Sequence, residues 1–329
     1  MSAARFFLLL PGMVASQADA CHADQLDISR HSNCPSDAWH DRAAPLLVGT
    51  TSSSVETGST PTGAVIMLNV GANKGFNLAE WMQRYTPADV SNKKWHNLMM
   101  RKAQPACALQ CCGVCLVCHR KRMKQVTNAK LQLHAFELQP SNERLLRQLV
   151  GLTGAPVEVH GAAVSNVTGT VYTRDSGVPG YESVSASRTI TRGRAVPRNV
   201  TTVDAFLAAR GIPKVALVSI DTEGWDAFVI RGMERSLKAR AVDVFEFEYT
   251  RLWKAHFGEH ALREHLRWVD SLGYTCFWQG NRGSLAQANM GCWKEEHHSR
   301  ISHRWSNLVC TWRPDLIAVF RSTSGNLPR

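Results

Sequence analysis

The chain has 329 residues, of which 44% are hydrophobic, so it can bury the core of one large α/β domain with insertions. Its net charge is +11, and nine basic residues without a single acid lie between Ser91 and Lys130. Such a segment either attracts an anionic partner, such as a nucleic acid, a glycan or an acidic membrane surface, or is a solvated insertion. No apolar run is long enough for a transmembrane helix.

The N-terminus has the pattern of a secretory signal peptide. A short basic start, Met1–Arg5, precedes the apolar run Phe6–Leu10, and the small-x-small triplet Ala18-Asp-Ala20 comes just before Cys21. We therefore expect residues 1–20 to be a signal peptide and the protein to be in the secretory pathway or extracellular. A bipartite organelle presequence is the alternative. Two N-glycosylation triplets, at Asn166 and Asn199, agree with the secretory route.

Residues 21–62 are polar and read as a linker. The apolar run Val65–Val70 then predicts a fully buried strand of a parallel sheet. Gly71, Asn73 and Gly75 form a turn that lets a ligand approach the backbone, and a helix follows from Phe76 to about Tyr85. A strand, a glycine turn and a helix are typical of the opening unit of a nucleotide-binding domain, although an ordinary βα turn has the same pattern.

A basic, cysteine-rich insertion occupies about residues 88–130. Its spacing Cys112-x-x-Cys115-x-x-Cys118 occurs in metal and cluster sites. In an oxidising compartment, clustered cysteines more often form disulfides, and the secretory prediction favours that interpretation here. The pairing of these cysteines cannot be assigned from the sequence.

The run Leu131–Phe136 predicts the second strand, which ends in the acid Glu137. An acid at this place in a nucleoside-binding fold holds the ribose hydroxyls, since a carboxylate accepts two hydrogen bonds from a vicinal diol. A solvated charge at the strand end is the alternative. A helix from Asn142 to about Val150 and a third strand with its exit, Val157–Ser165, are predicted next.

A short hairpin arm is predicted at Thr170–Thr173, and a long loop from Arg174 to Asn199 is expected to cover the C-terminal edge of the sheet. Thr202–Arg210 has the pattern of a capped amphipathic helix that ends at Gly211. The loop contains five arginines, which are suited to an acidic or hydroxyl-rich ligand: Arg174, Arg188, Arg192, Arg194 and Arg198.

The buried strand Val215–Ile220 leads into two acids, Asp221 and Glu223. Near a polar ligand, such acids serve in hydrogen bonding, base catalysis or metal binding, whereas their structural alternative is to cap the following helix, predicted from Trp225 to Arg240. A fifth strand, Ala241–Tyr249, also ends in acids, among them Glu248.

The C-terminal part is predicted to contain the helix Ala261–Leu272, the strand Tyr274–Trp278 and a last strand, Asp315–Phe320. The loop between the last two strands carries Cys292 and Cys310, which we expect to form a disulfide. Histidines at positions 256, 260, 297 and 298 do not form a complete ligand set, so no metal site is predicted.

Taken together, these motifs resemble the FkbM family of S-adenosylmethionine-dependent methyltransferases from about Val65 to Phe320. One departure is Asn69, where the family usually has Asp, and another is the insertion before Phe136. The resemblance rests on the order of five motifs: Asn69-Val-Gly-Ala-Asn-Lys-Gly75, Phe136-Glu137 with Pro140, Ala163-Val-Ser165 with Gly169, Thr201-Thr-Val-Asp-Ala-Phe-Leu207, and Ile220-Asp-Thr-Glu-Gly224.

The resemblance implies a class I methyltransferase (Rossmann-like) fold over residues 63–322, with six parallel strands, one reversed strand and helices on both faces, and a tail at 323–329. It also implies O-methylation, often of a sugar hydroxyl, with S-adenosylmethionine as cofactor. The expected catalytic residues are Asp221, Glu223 and Glu248. The expected cofactor-binding residues are Asn69, Gly71, Asn73, Gly75, Glu137, Ala163 and Asp221.

Two other functions remain open at this point. A secreted, cysteine-rich binding protein on a decayed methyltransferase scaffold would explain Asn69. An RNA methyltransferase would use the basic insertion, but the signal-like N-terminus and the missing stacking motifs argue against it.

Overall fold

A computed structural model describes residues 38–49, 63–103, 129–180, 186–187, 195–280, 285–295, 298–299 and 305–322. The predicted signal peptide, the Cys107–Cys118 cluster, Arg188, Arg192, Arg194 and the tail lie outside these residues. Within them, no helix combines the length and apolar character that crossing a bilayer requires.

The described residues form twelve strands in two sheets. They are β1 Val65–Val70, β2 Leu131–Phe136, β3 Val157–His160, β4 Ala162–Val164, β5 Gly169–Arg174, β6 Ala186–Ser187, β7 Ala195–Thr201, β8 Val215–Ile220, β9 Val242–Thr250, β10 Thr275–Gln279, β11 Leu285–Gln287 and β12 Trp305–Thr311.

The larger sheet has eight strands in the order β11-β10-β12-β9-β8-β1-β2-β3. The five strands from β9 to β3 pair in parallel. Strand β12 is antiparallel to both β9 and β10, so β10 runs in the same direction as the five. Six parallel strands and one reversed strand are therefore present as predicted, and the class I methyltransferase fold is confirmed. Strand β11 adds an eighth, antiparallel strand at the edge.

The described residues also form ten α-helices. They are α1 Ala38–Val48, α2 Phe76–Tyr85, α3 Asn92–Ala103, α4 Pro140–Thr153, α5 Val203–Arg210, α6 Asp226–Arg231, α7 Glu234–Lys238, α8 Arg251–Phe257, α9 Ala261–Ser271 and α10 Pro314–Ser322.

The helices cover both faces of the large sheet, which explains why its central strands are apolar throughout. Strand β1 is buried along its whole length. Ile66 and Leu68 pack in the cluster formed with α5 to α9, whereas Val65 and Met67 pack in the cluster formed with α1 to α4 and α10. Successive side chains of a strand point to opposite faces, so a strand between two helical layers must be apolar at every position.

The structure corrects the prediction that residues 21–62 are only a linker. Helix α1 lies within that range, and its Trp39 and Leu47 are almost fully buried. The ring of Trp39 packs edge-on against Phe320, with 5.3 Å between centroids. The polar residues on either side concealed this helix, although its apolar residues recur at helical spacing.

Two predictions near the C-terminus are also wrong. The segment 315–320 is part of helix α10, whose Leu316 and Phe320, four residues apart, lie on the buried face. The segment 305–310 is the strand β12, which was expected to be a loop. Short apolar runs fit either a strand or a buried helix, so periodicity alone does not separate them.

The predicted disulfide between Cys292 and Cys310 is wrong as well. The structure pairs Cys310 with Cys276. These two cysteines are directly opposite each other on β10 and β12, with Cα atoms 4.0 Å apart. Because Cys276 lies inside a predicted strand, no pattern in the chain favoured it over Cys292.

Two predicted elements are divided in the structure. The third strand splits into β3 and β4 at Gly161, where an added Cβ would meet the carboxylate of Glu143 at 2.4 Å. The helix from Trp225 to Arg240 splits into α6 and α7 at Gly232, where an added Cβ would lie 2.0 Å from the carbonyl oxygen of Ser165.

The smaller sheet has the strand order β4-β7-β5-β6. Its strands β6 and β7 include residues 186–187 and 195–199 of the region that was expected to be a long loop, and β7 pairs in parallel with β4 and antiparallel with β5. The predicted hairpin arm is confirmed as β5. The smaller sheet therefore begins just after β3 and lies beside the carboxyl ends of the parallel strands.

Candidate functional site

The glycine turn after β1 joins the carboxyl ends of three strands. The amides of Gly71 and Ala72 both donate to the carbonyl oxygen of Phe136, at 3.0 and 2.9 Å. The amide of Asp221 donates to the carbonyl oxygen of Val70 at 2.9 Å. The ends of β2 and β8 therefore flank the turn, at the point where the strand order reverses and where ligands of such sheets bind.

Glycine is required at the centre of this junction. Gly71 has φ +80°, and an added Cβ would lie 1.7 Å from the carbonyl oxygen of Asp221. Gly75 has φ +77°, and its Cβ would lie 2.6 Å from Leu146 and 2.8 Å from Trp95. The turn thus needs a left-handed backbone and two positions without a side chain, which explains the glycine pattern.

Glu137 holds the glycine turn from the end of β2. One carboxylate oxygen accepts the amide of Asn73 at 2.7 Å, and the other accepts the amide of Gln139 at 2.7 Å. Burial raises the pKa of Glu137, and these hydrogen bonds partly oppose that shift. The side chain of Asn142 also forms a hydrogen bond with Glu137, so of the roughly four acceptor positions of the carboxylate about one remains for a ligand hydroxyl.

Three buried acceptors beside the glycine turn lack a hydrogen-bond partner among the described residues. They are Oδ1 of Asn69, Oδ1 of Asn73 and Oε1 of Gln139. An unsatisfied buried acceptor costs about 1–3 kcal/mol, and a ligand that supplies donors removes that cost. The set fits a ligand that carries amine, hydroxyl or amide donors.

A second turn, residues 221–225, follows β8. Asp221 is exposed, Glu223 is half-buried, and Glu223 has φ 54°, in the left-handed region. The carboxylate of Asp226 accepts the amides of Thr222 and Gly224, at 3.4 and 3.2 Å. The sequence also allowed Asp221 or Glu223 to cap the following helix. In the structure, these two amides are accepted by Asp226, which is the first residue of α6.

Sequence reasoning missed Asp226, which is fully buried. Burial, followed by the neighbouring charge of Asp221, raises its pKa to about 8. At neutral pH Asp226 therefore holds a proton. The signal in the sequence that could have indicated Asp226 is its position two residues after Gly224, at the predicted start of the helix.

The other predicted site residues lie at different distances from the two turns. Ile220 pairs with Phe247 across β8 and β9, so Glu248 is at the same level of the sheet as Asp221. Ala163 lies in β4, where it pairs with Val200 of the smaller sheet. The structure thus brings Glu248 to the same edge as Asp221, whereas Ala163 belongs to the smaller sheet beside it.

The segment 175–180, part of the loop that was expected to cover the C-terminal edge of the sheet, lies between the glycine turn and α4. The buried ammonium of Lys74 donates to the carbonyl oxygen of Gly180 at 3.1 Å, and the amide of Gly180 donates to Oδ1 of Asn142 at 2.6 Å. Asp175 accepts the amide of Ser141 at 3.1 Å. These contacts connect the segment that follows β5 to the glycine turn and to the start of α4.

His134, Glu158 and His160 form a cluster on β2 and β3 whose ligand atoms lie within 4.8 Å of one another. Two internal contacts already use these atoms. Nδ1 of His134 is 3.2 Å from Nε2 of His160, and Arg210 donates to Oε2 of Glu158 at 2.8 Å. Burial lowers the pKa of His134 to about 4. The arginine supplies the positive charge that a metal ion would otherwise bring.

The chain is similar to known methyltransferases in two comparisons. The family model described as methyltransferase FkbM domain matches residues 69–276. A precorrin-6y C5,15-methyltransferase from Geobacter metallireducens GS-15 shares 10% identity at a TM-score of 0.31, with 76% of this chain and 80% of that chain covered. The METTL16 MTase domain shares 9% identity at a TM-score of 0.34, with 83% and 66% covered. No curated protein matches the chain significantly.

Proposed function

The chain belongs to the methyltransferase FkbM domain family, and from that premise we propose that it methylates a hydroxyl group of a sugar or glycan with S-adenosylmethionine as the donor. The observation that carries the proposal is the contact between the two turns. Gly71 packs against the carbonyl oxygen of Asp221, so the two turns lie side by side at one edge of the sheet. A donor held by the first turn is thereby presented to acids of the second.

The residues around the glycine turn fit the cofactor. In this proposal Glu137 accepts a hydrogen bond from the ribose, and the unsatisfied Oδ1 of Asn69 accepts one from the methionyl amine. Gly71, Asn73 and Gly75 allow the backbone to approach the ligand closely. When bound, the cofactor supplies an activated methyl group on a sulfonium centre.

With an activated donor, the protein's main task is to align the acceptor oxygen and to remove its proton. Asp221 is the proposed base, with Glu223 and Glu248 as the other candidates. Asp221 is exposed at the edge of the sheet, whereas Asp226 behind it is buried and protonated. In this proposal the two acids have different roles: Asp221 accepts the proton of the acceptor hydroxyl, and Asp226 fixes the conformation of the turn.

A sugar acceptor in the secretory pathway agrees with several features of the chain. Asn166 and Asn199, the asparagines of the two glycosylation triplets, are both exposed. Arg198 donates to the carbonyl oxygen of Leu138 at 2.9 Å, and so it anchors the smaller sheet beside the end of β2. The signal-like N-terminus supports the same route.

A methyl-transfer screen tests this function. The full chain without residues 1–20 would be incubated with methyl-labelled S-adenosylmethionine and a panel of neutral and acidic glycans. We expect label in at least one glycan, at an oxygen, and a strong loss of label with Asp221→Asn. A chain that binds the donor yet labels only RNA, or only protein, would contradict the sugar acceptor. A chain that does not bind the donor would favour a decayed scaffold.

A further inference from the structure

Trp225 is the last residue of the second turn, and it is exposed. It comes directly after Gly224 and before α6, so it lies at the same edge of the sheet as Asp221 and Glu223. Its exposed fraction is 48%, and it is the one aromatic residue among the exposed large hydrophobic residues that the structure describes. An exposed aromatic ring beside a candidate active site is a reason to look for a ligand.

The indole ring of Trp225 is held in place by its neighbours. It stacks on His256, with 4.4 Å between centroids and 28° between planes, and on Phe228, with 5.7 Å and 19°. Nδ1 of His256 lies 3.2 Å from the carbonyl oxygen of Gly224. Phe228 in turn packs edge-on against Phe257, with 4.9 Å between centroids. The exposed ring is therefore fixed before any ligand arrives.

Gly224 keeps the second turn close to this aromatic group. Its φ is +90°, and an added Cβ would lie 2.5 Å from Cβ of Leu252 in α8. Helix α8, which carries His256, thus packs directly on the turn that carries the acids. This contact holds the second turn against the helix that carries His256, on whose ring Trp225 stacks.

We propose that the exposed indole surface of Trp225 stacks against the sugar ring of the methyl acceptor, and that this contact binds the acceptor and turns one hydroxyl toward Asp221. This inference rests on the proposed function. The face of an aromatic ring is electron-rich, so it attracts the weakly positive C–H groups on the apolar face of a pyranose. A fixed ring loses little conformational entropy on binding, because it has already been ordered by His256 and Phe228.

The inference predicts a change confined to the acceptor. In Trp225→Ala we expect the acceptor KM to rise about 10-fold, the effect of a stacking contact of about 1.4 kcal/mol. The dissociation constant of S-adenosylmethionine, measured by calorimetry, should stay within about 2-fold, since Trp225 is not part of the glycine turn. Trp225→Phe keeps an aromatic face and should recover most of the acceptor affinity.

Leu152→Ala is the matched control, because Leu152 is a comparably exposed apolar residue (51%) located in α4. It should change neither constant. An unchanged acceptor KM in Trp225→Ala would overturn the inference and leave the proposed function intact. A Trp225→Ala variant that loses donor binding to the same extent would also overturn it, because the residue would then support the whole site. If the wild-type chain methylates no sugar at all, the proposed function fails and the inference fails with it.

Discussion

The two turns at the edge of the large sheet are built alike but are held from different places. Each contains a non-glycine residue in the left-handed region, Asn73 with φ 44° in one and Glu223 with φ 54° in the other. Each is clamped by a buried carboxyl group that accepts backbone amides. For the first turn the clamp is Glu137, 64 residues away on the next strand, and for the second it is Asp226, only two residues beyond Gly224.

This difference separates the two halves of the proposed reaction. The geometry of the glycine turn exists only when β1, β2 and β8 have assembled, so changes there should affect stability and donor affinity together. The geometry of the second turn is largely local to the start of α6. Its outer acids should therefore be replaceable without loss of the fold, and their effect should appear in the rate.

The largest effect is expected for the outer acids of the second turn. In Asp221→Asn, and in Glu223→Gln if that residue is the base, turnover should fall about 10²–10⁴-fold, or roughly 3–5 kcal/mol of barrier. The amides are nearly isosteric with the acids, so the unfolding free energy should stay close to that of the wild type. Rates on an accepted glycan, together with chemical denaturation, measure both quantities.

Glu259→Gln, which alters an exposed acid paired with Lys254, is the control for a general loss of negative charge. If Asp221→Asn and Glu223→Gln both keep the wild-type rate, these acids are structural and the comparison between the turns loses its functional meaning.

The next effect concerns the contact between the turns. Gly71→Ala should destabilise the protein by about 2–4 kcal/mol, because it combines overpacking against backbone with a disfavoured positive φ. Gly154→Ala is the matched variant, since Gly154 has φ +64° but nothing lies within 4 Å of its added Cβ. It should lose only about 1 kcal/mol, the cost of the backbone conformation alone. Equal losses in the two variants, measured by urea denaturation, would show that the turns are not in close contact.

The sequence predicted the glycine turn and the places of Glu137 and Asp221 at the ends of buried strands, because these depend on rules that act locally or on the geometry of parallel strands. Buried apolar runs mark the strands, glycines mark the turn, and the carboxyl ends of parallel strands share one edge. No tertiary contact had to be known for these predictions.

Other features depend on contacts that the sequence does not show. Asp226 reads as an ordinary first residue of a helix, and only its burial beneath the turn explains its role. The smaller sheet is formed by pairings between β4, β5 and β7 that span a low-periodicity segment. Helix α1 is recognised by the packing of Trp39 on Phe320, which joins opposite ends of the chain. Each of these is decided by tertiary packing rather than by local preference.

A smaller effect is expected for the clamp of the first turn. Glu137→Ala should weaken binding of S-adenosylmethionine by about 1.5–3 kcal/mol, the scale of hydrogen bonds to a charged group. The variant also leaves the amides of Asn73 and Gln139 without their acceptor, so some stability should be lost as well. Glu158→Ala, which removes an acid on the neighbouring strand β3, should leave the affinity unchanged. Calorimetry that finds equal affinity in Glu137→Ala and the wild type would exclude Glu137 as the ribose ligand.

The last prediction is a pH dependence that belongs to the clamp of the second turn, and it concerns stability rather than rate or affinity. The pKa of Asp226 is about 8 in the folded protein, against 3.8 as its ordinary value. Between about pH 4 and pH 8, the unfolded chain has released this proton whereas the folded chain still holds it. Rising pH therefore favours the unfolded state, by at most about 1.4 kcal/mol per pH unit for one proton. The stabilising contribution is complete below about pH 4 and is lost by about pH 8.

Asp226→Asn removes this titration but keeps an oxygen that can accept a backbone amide. The difference in unfolding free energy between wild type and variant, measured by denaturation at several pH values, should therefore decline from pH 4 to pH 8 and be flat outside that range. A difference that is flat throughout would mean that Asp226 is ionised in the folded protein. The buried charge would then lie beside Asp221 and raise the pKa of that proposed base. In that case the two acids would have to be treated as one coupled pair, and the rate loss in Asp221→Asn would not identify a single base.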